Sequence, residues 1–137
     1  MKKIIVMFTG ILLLTFVGNA FAATKLEKRY AYTLKNLKLD KATEAKFGPV
    51  LKAYLTEKKE AEKKYEDLKD KYKSAEKSGT LSDAQATQLM EAKLECAEKE
   101  LVVKKKYFVE FKKVLKPKKV YYAFDYANDK MSKIDGK

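Results

Sequence analysis

Residues 41–77 read KATEAKFGPVLKAYLTEKKEAEKKYEDLKDKYKSAEK, and residues 81–115 read LSDAQATQLMEAKLECAEKELVVKKKYFVEFKKVL. In the first stretch Phe47, Leu51, Tyr54, Ala61, Tyr65, Leu68, Tyr72 and Ala75 follow a 4–3 spacing, with Lys58 at the one missing tooth. In the second, Met90, Leu94, Ala97, Leu101, Phe108, Phe111 and Leu115 repeat that spacing, with Lys104 as the gap. Apolar residues recurring every 3.5 positions line one seam of an α-helix, so two long helices are expected. Gly48-Pro49 interrupts the first near its start, where a proline loses a backbone hydrogen bond and kinks the helix. Gly79 supplies a left-handed stop. Ser82 and Gln85 then stand at capping-box spacing, hydroxyl and amide each satisfying a free backbone N–H. The short turn between the helices makes them antiparallel neighbours. Pairing about residue 80 puts Lys58 within a turn of Lys104, so both gaps fall at nearly one level.

Working outward, Leu26, Tyr30, Leu34 and Leu37 mark a short first helix, and Asp40 caps the second. Pro117 opens a fourth helix at its favoured first position, reaching about Met131, with a frayed tail after it. The expected architecture is all-α, an elongated four-helix chain built on a long antiparallel hairpin. Two helices cannot enclose a core, so the open face must meet helices one and four or a second subunit. Homodimerisation is the economical solution.

The N-terminus has its own grammar. Lys2 and Lys3 precede an apolar run from Ile4 to Val17, followed by Gly18-Asn19-Ala20-Phe21-Ala22. A positive region, an apolar run and small residues before a cut after Ala22 predict a signal peptide over residues 1–22. A run of 14 residues is short for a membrane anchor, which needs about 20. The expected location is the periplasm, and residues 23–137 form one helical domain. That mature chain keeps 29 of 31 basic residues against 19 acids, net +10. Leu, Ile, Val and Phe make up 23 of its 115 residues, so periodicity rather than composition argues for a folded core.

Composition argues against catalysis. The chain has no His and no Trp, and its only thiol is Cys96. Zinc sites need three or four His, Cys or carboxylate ligands, and a Ser–His or Cys–His pair needs His. No glycine-rich phosphate loop is present. Neither a metal nor a cofactor is expected. The carboxylates stand mostly three or four residues from a Lys, as in Glu60–Lys64, Asp67–Lys71, Glu95–Lys99 and Glu100–Lys104, the pattern of a solvated helix face. Cys96 reads as a small apolar side chain beside the seam, or as the half of an intermolecular disulfide.

Charge is concentrated late in the chain. Residues 23–103 carry net +3 and residues 104–137 net +7. The dense part is Lys104, Lys105, Lys106, Lys112, Lys113, Lys116, Lys118 and Lys119, with Glu110 its only acid. Tyr107, Phe108, Phe111, Tyr121, Tyr122, Phe124 and Tyr126 interleave with it. Phe108 and Phe111 lie on the seam and are expected in the core. The lysines, with Tyr107, Tyr121, Tyr122 and Tyr126, are the candidate binding surface. Basic patches with aromatics can bind nucleic acid, but an exported chain rarely meets any. The expected partners are unfolded or misfolded exported proteins, and an anionic membrane surface is the other candidate.

Three short motifs bear on kinship. Leu39-Asp40-Lys41-Ala42-Thr43, Leu81-Ser82-Asp83-Ala84-Gln85 and Leu115-Lys116-Pro117-Lys118-Lys119 each stand at a helix start. They resemble, in degenerate form, the Leu-Thr-x-x-Gln motifs of the Spy/CpxP group of periplasmic chaperones and stress proteins. Phe47-Gly48-Pro49-Val50-Leu51-Lys52-Ala53-Tyr54 and the Glu/Lys-rich hairpin after it look like a divergent branch of small exported helical proteins grouped with that family. The resemblance implies an elongated, cradle-shaped dimer whose positive, partly apolar concave face holds unfolded clients without ATP. The functional expectation is therefore an ATP-independent holdase. Its alternatives are an envelope-stress adaptor that binds a sensor-kinase domain and a structural protein of the anionic membrane surface.

Overall fold

The computed structural model describes residues 24–136, so the expected signal peptide lies outside the described residues. Helices α1 (Lys25–Leu37), α2 (Lys41–Lys71), α3 (Lys73–Ser78), α4 (Asp83–Lys112), α5 (Pro117–Ala127) and α6 (Met131–Ile134) follow in order, with no strand among the described residues. The starts have local causes. Thr24 and Glu27 form a reciprocal capping box at α1. Asp40 accepts from the Thr43 amide at 2.7 Å. The Gln85 amide donates to Ser82 Oγ at 3.1 Å while the Ser82 amide donates to Gln85 Oε1 at 3.0 Å. Pro117 takes the first position of α5, where its missing N–H has no helical partner to lose.

Helices α2 and α4 make the expected antiparallel hairpin. The Tyr72 hydroxyl donates to Gln88 at 2.6 Å, Lys64 pairs with Glu95 at 2.9 Å, and Lys106 pairs with Glu57 at 3.0 Å, all in a register centred near residue 80. Three boundaries differ from expectation. The helix expected over 41–77 is jointed at Tyr72, which sits at φ −101°, ψ 10°. The hydrogen-bond ladder still crosses the joint, from Tyr72 N–H to Leu68 O and from Glu76 N–H to Tyr72 O. Helix α4 stops at Lys112 rather than Leu115, because Lys116 precedes a proline and must be extended, at φ −69°, ψ 155°. Helix α5 stops at Ala127, short of Met131. Arg29 Nη1 donates there to Ala127 O at 2.8 Å and Asp129 O at 2.6 Å, answering both free carbonyls and the helix dipole.

Gly48-Pro49 does not divide α2; helical backbone continues through both residues. Gly48 serves packing instead. A Cβ at that position would lie 2.7 Å from the Tyr30 hydroxyl, so the absent side chain is what lets α1 come this close.

The core sits at the open end of the hairpin, where α1 and α5 lie across it. Leu37, Leu51, Leu55, Leu115, Val120, Ala123 and Ala127 surround an aromatic cluster of Phe47, Tyr54, Tyr107, Phe111 and Phe124. Phe111 is its hub, T-shaped to Phe47 at 4.8 Å and stacked on Phe124 at 4.7 Å. Each such pair contributes about 0.5–1.5 kcal/mol beyond the area it buries. Farther along the hairpin the packing thins. Ala61, Tyr65, Leu68, Tyr72 and Ala75 are only half-buried there. Lys58, the missing tooth, keeps its side chain 15% exposed and pairs with Glu62 at 3.9 Å.

The seam expected on the third helix faces the wrong way. Met90, Leu94, Leu101 and Phe108 are all about half exposed, and Ala97 is exposed too. The inward residues of α4 are Ala92, Cys96, Val103, Tyr107 and Phe111, roughly a third of a turn round the helix. Two apolar stripes share this helix. The buried one brings Tyr107 beside both Tyr54 and Phe111 and lets its hydroxyl donate to Glu57.

Candidate functional site

The elbow between α4 and α5 builds a groove. Residues 113–115 turn the chain, Leu115 is buried beneath the turn, and Pro117 restarts the helix. Stacking of Phe111 on Phe124 then fixes α5 against α4. Phe108, three residues before Phe111, falls outside that contact at 48% exposure. Phe108, Val120, Tyr121 and Phe124 line an open channel of about 510 Å³. A second hollow of about 370 Å³ continues from it past Lys104 and Lys105 and shares Phe108, Phe124 and Asn128.

The walls differ in charge. Lys104, Lys105 and Lys112 come from α4, and the Lys112 ammonium lies 4.4 Å from the centre of the Phe108 ring. Asp125 and Asp129 come from the opposite side. Asp129 is already engaged, accepting from the Tyr32 hydroxyl at 2.7 Å and pairing with Lys133 at 3.6 Å. The hydrogen bond to this carboxylate is the main reason the Tyr32 hydroxyl is pushed up to about 12. The groove thus offers apolar rings at its base and ammonium groups along one rim. It suits an extended chain with apolar side chains and some negative charge better than a small molecule, which is usually enclosed.

The candidate surface residues do not form one patch. Lys104, Lys105, Lys112 and Tyr121 meet at the groove. Lys116 and Lys118 are exposed at the elbow. Lys106 faces the hairpin partner and pairs with Glu57, and Lys113 pairs with Glu110 at 2.9 Å. Lys119 donates to the Leu37 carbonyl and so caps the C-terminus of α1. Tyr107 is no surface residue at all. It is 5% exposed, and burial followed by its bond to Glu57 raises its hydroxyl well above the ordinary value. Tyr122 stacks on Tyr126, and Tyr126 meets Tyr32 edge-on, giving a ledge on another side of α5 from the groove. The helix-capping residues Asp40, Ser82, Gln85 and Pro117 stand where their types placed them.

Some participants went unread in the sequence. Seam spacing places Phe108 in the core, whereas it is 48% exposed, and nothing in the spacing of Val120 and Phe124 marks a groove. The available signal for Phe108 was its neighbour: Tyr107 and Phe108 cannot both face inward. Cys96 is 7% exposed on the inner side of α4, and its thiol donates to Glu100 at 3.1 Å. Burial, then that bond, pushes the thiol up to about 12.

Fold and groove together define a class, an all-α basic hairpin protein with an open, lysine-flanked apolar groove at one end. Comparisons with protein-family models, with curated proteins and with solved structures find no match to this chain.

Proposed function

We propose that the protein is an exported, ATP-independent holdase that captures unfolded chains in the α4–α5 groove. The observation that carries this reading is the exposure of Phe108 and Tyr121 beside Lys104, Lys105 and Lys112, although the core closes without them. Apolar rings at this density on an open surface mark an interaction site. In the proposed cycle the lysines raise the encounter rate with acidic segments, and the rings retain apolar side chains once they arrive. Release needs no nucleotide because each contact is weak and exposed. The periplasmic location, the clients and the absence of a catalytic role belong to the same proposal. It draws further support from the signal-like N-terminus and the lack of His.

The test is suppression of aggregation without ATP, using several chemically unrelated unfolded clients. A holdase protects most of them, and Tyr121→Ala combined with Lys105→Gln and Lys112→Gln removes protection without loss of helix. Protection of a single client, or none, sinks the reading. An adaptor would bind one folded domain, and a membrane-surface protein would sediment with anionic vesicles while failing to protect clients.

A further inference from the structure

An apolar strip on the outer face of α4 is left over once the core and the groove are accounted for. Met90, Leu94 and Leu101 are 53%, 58% and 53% exposed, and with Ala97 they keep the 4–3 spacing of a coiled-coil seam. No helix among the described residues covers them. The strip is about 17 Å long, roughly three helical turns, and it ends before Lys104, where the groove begins. Its surroundings are acidic, although the mature chain carries net +10. Residues 83–100 hold five acids against two lysines. Glu95 is taken up by Lys64 at 2.9 Å and Lys99 at 3.1 Å, and Glu100 accepts from the Cys96 thiol at 3.1 Å. Glu91 and Glu98 are exposed and enter no ion pair among the described residues. Each directly follows a seam residue, Met90 or Ala97, and the two stand one heptad apart on the same flank. That flanking position is the one from which a coiled coil chooses its partner.

We propose that the strip from Met90 to Leu101 docks an amphipathic helix of a partner protein, one whose own 4–3 apolar seam is flanked by lysine or arginine. A matching repeat lets each apolar side chain enter a hole between four others. Charge then selects the sign. Glu91 and Glu98 have no cation on their own chain and take one from the incoming helix, whereas an acidic helix would meet two like charges. Lys93, alone on the opposite flank, is outnumbered. A second copy of α4 is the poorer occupant. Reversed, it sets Glu98 against Glu98 and lays Met90 on Phe108, which closes the groove. In parallel it stacks Lys104 on Lys104. A helix that stops at Leu101 leaves Phe108 and the groove lysines open. The molecule then carries two surfaces of opposite preference, a lysine-flanked groove for acidic segments and a carboxylate-flanked strip for a basic helix.

This inference goes beyond the holdase reading and does not depend on it. The probe is a fluorescent synthetic helix of about three heptads, with leucine in the seam and lysine at every flanking position. A twin peptide carries glutamate in place of lysine, and like charges keep each peptide from pairing with itself. Each is titrated separately with the mature chain and followed by fluorescence anisotropy. The lysine peptide should bind saturably despite the net positive charge of the chain. Leu94→Gln with Leu101→Gln should weaken it by more than about tenfold through the loss of two apolar contacts. Both residues are exposed and Gln is a good helix former, so circular dichroism should stay unchanged. Glu91→Lys with Glu98→Lys should weaken the lysine peptide at least about fivefold and strengthen the glutamate twin by a similar factor. Lys105→Gln with Lys112→Gln, in the groove, should leave the lysine peptide bound. A lysine peptide that fails to bind, or that ignores either the leucine or the glutamate changes, overturns the proposal. So does loss of its binding in the groove variant. Sedimentation in which the free chain pairs with itself through Leu94 and Leu101 overturns it as well, by giving the strip to a second copy.

Discussion

Phe108 and Phe111 are one turn apart on the same helix, and they should respond to truncation in opposite ways. Phe111 is fully buried and touches Phe47, Tyr54, Tyr107 and Phe124 within 4.7–6.2 Å. Phe111→Ala removes the hub and leaves a cavity that four rigid rings cannot fill, at a cost of about 3–5 kcal/mol. For a domain of this size that is at least about a fifth of a total stability of about 5–15 kcal/mol. Phe108 keeps 48% of its surface in water. Half of the roughly 1.5–3 kcal/mol of full burial is about 1 kcal/mol. The exposed contact with Lys112 adds about 0.5–1 kcal/mol, and the better helix propensity of Ala returns about 0.5 kcal/mol. Phe108→Ala should therefore cost only about 1–1.5 kcal/mol in net stability, yet it removes the base of the groove and should abolish most client protection. The assay is urea unfolding followed by far-ultraviolet circular dichroism, on samples dilute enough that association contributes nothing. Aggregation suppression is then measured on the same preparations. Equal stability losses for the two variants would refute the assignment of inner and outer faces. Full protection by Phe108→Ala would refute the groove as the site of capture.

Three other outcomes follow from particular contacts. Gly48→Ala should be near neutral or mildly destabilising alone, because the new Cβ meets the Tyr30 hydroxyl at 2.7 Å. In a Tyr30→Phe background the next atom is 3.8 Å away, and the same change should stabilise by up to about 1 kcal/mol; identical effects in both backgrounds would dismiss the contact. Ser82→Ala should cost about 1 kcal/mol in thermal unfolding by leaving the Gln85 amide unsatisfied, and a larger loss than Ser82→Asn is required of a true cap. The Cys96 thiol should resist alkylation in the native state and react on unfolding. Its folded pKa is raised, so the fold holds the proton more tightly than the unfolded chain does. That contribution is complete below about pH 8.5 and is lost as pH climbs toward about 12. Native alkylation as fast as in urea would contradict the burial.

Elements and caps were legible because their causes are local. Asp40, Ser82 with Gln85, Gly79 and Pro117 act on backbone groups within four residues, so residue type and spacing suffice to place them. The hairpin was legible for a related reason, since a short turn leaves two long helices no arrangement but antiparallel. The end of α5 at Ala127 was not, because it responds to Arg29, 98 residues away; the end of α4 at Lys112 had a local signal in Pro117, which holds Lys116 extended, and the seam spacing through Leu115 masked it.

The sequence by itself determined that this chain is helical, where its caps lie and that its charge gathers late. Only the tertiary structure decided which face of α4 is core. Residues 90–111 carry two apolar stripes at helical spacing, and periodicity ranks them equally. The choice depends on what α2 and α5 present across the gap. Tyr54 and Phe124 make a pocket that Tyr107 and Phe111 fill together, while Glu57 takes the hydroxyl that burial would otherwise leave without a partner. That long-range match turns Met90, Leu94, Leu101 and Phe108 outward, and their surroundings rather than their spacing make them a surface.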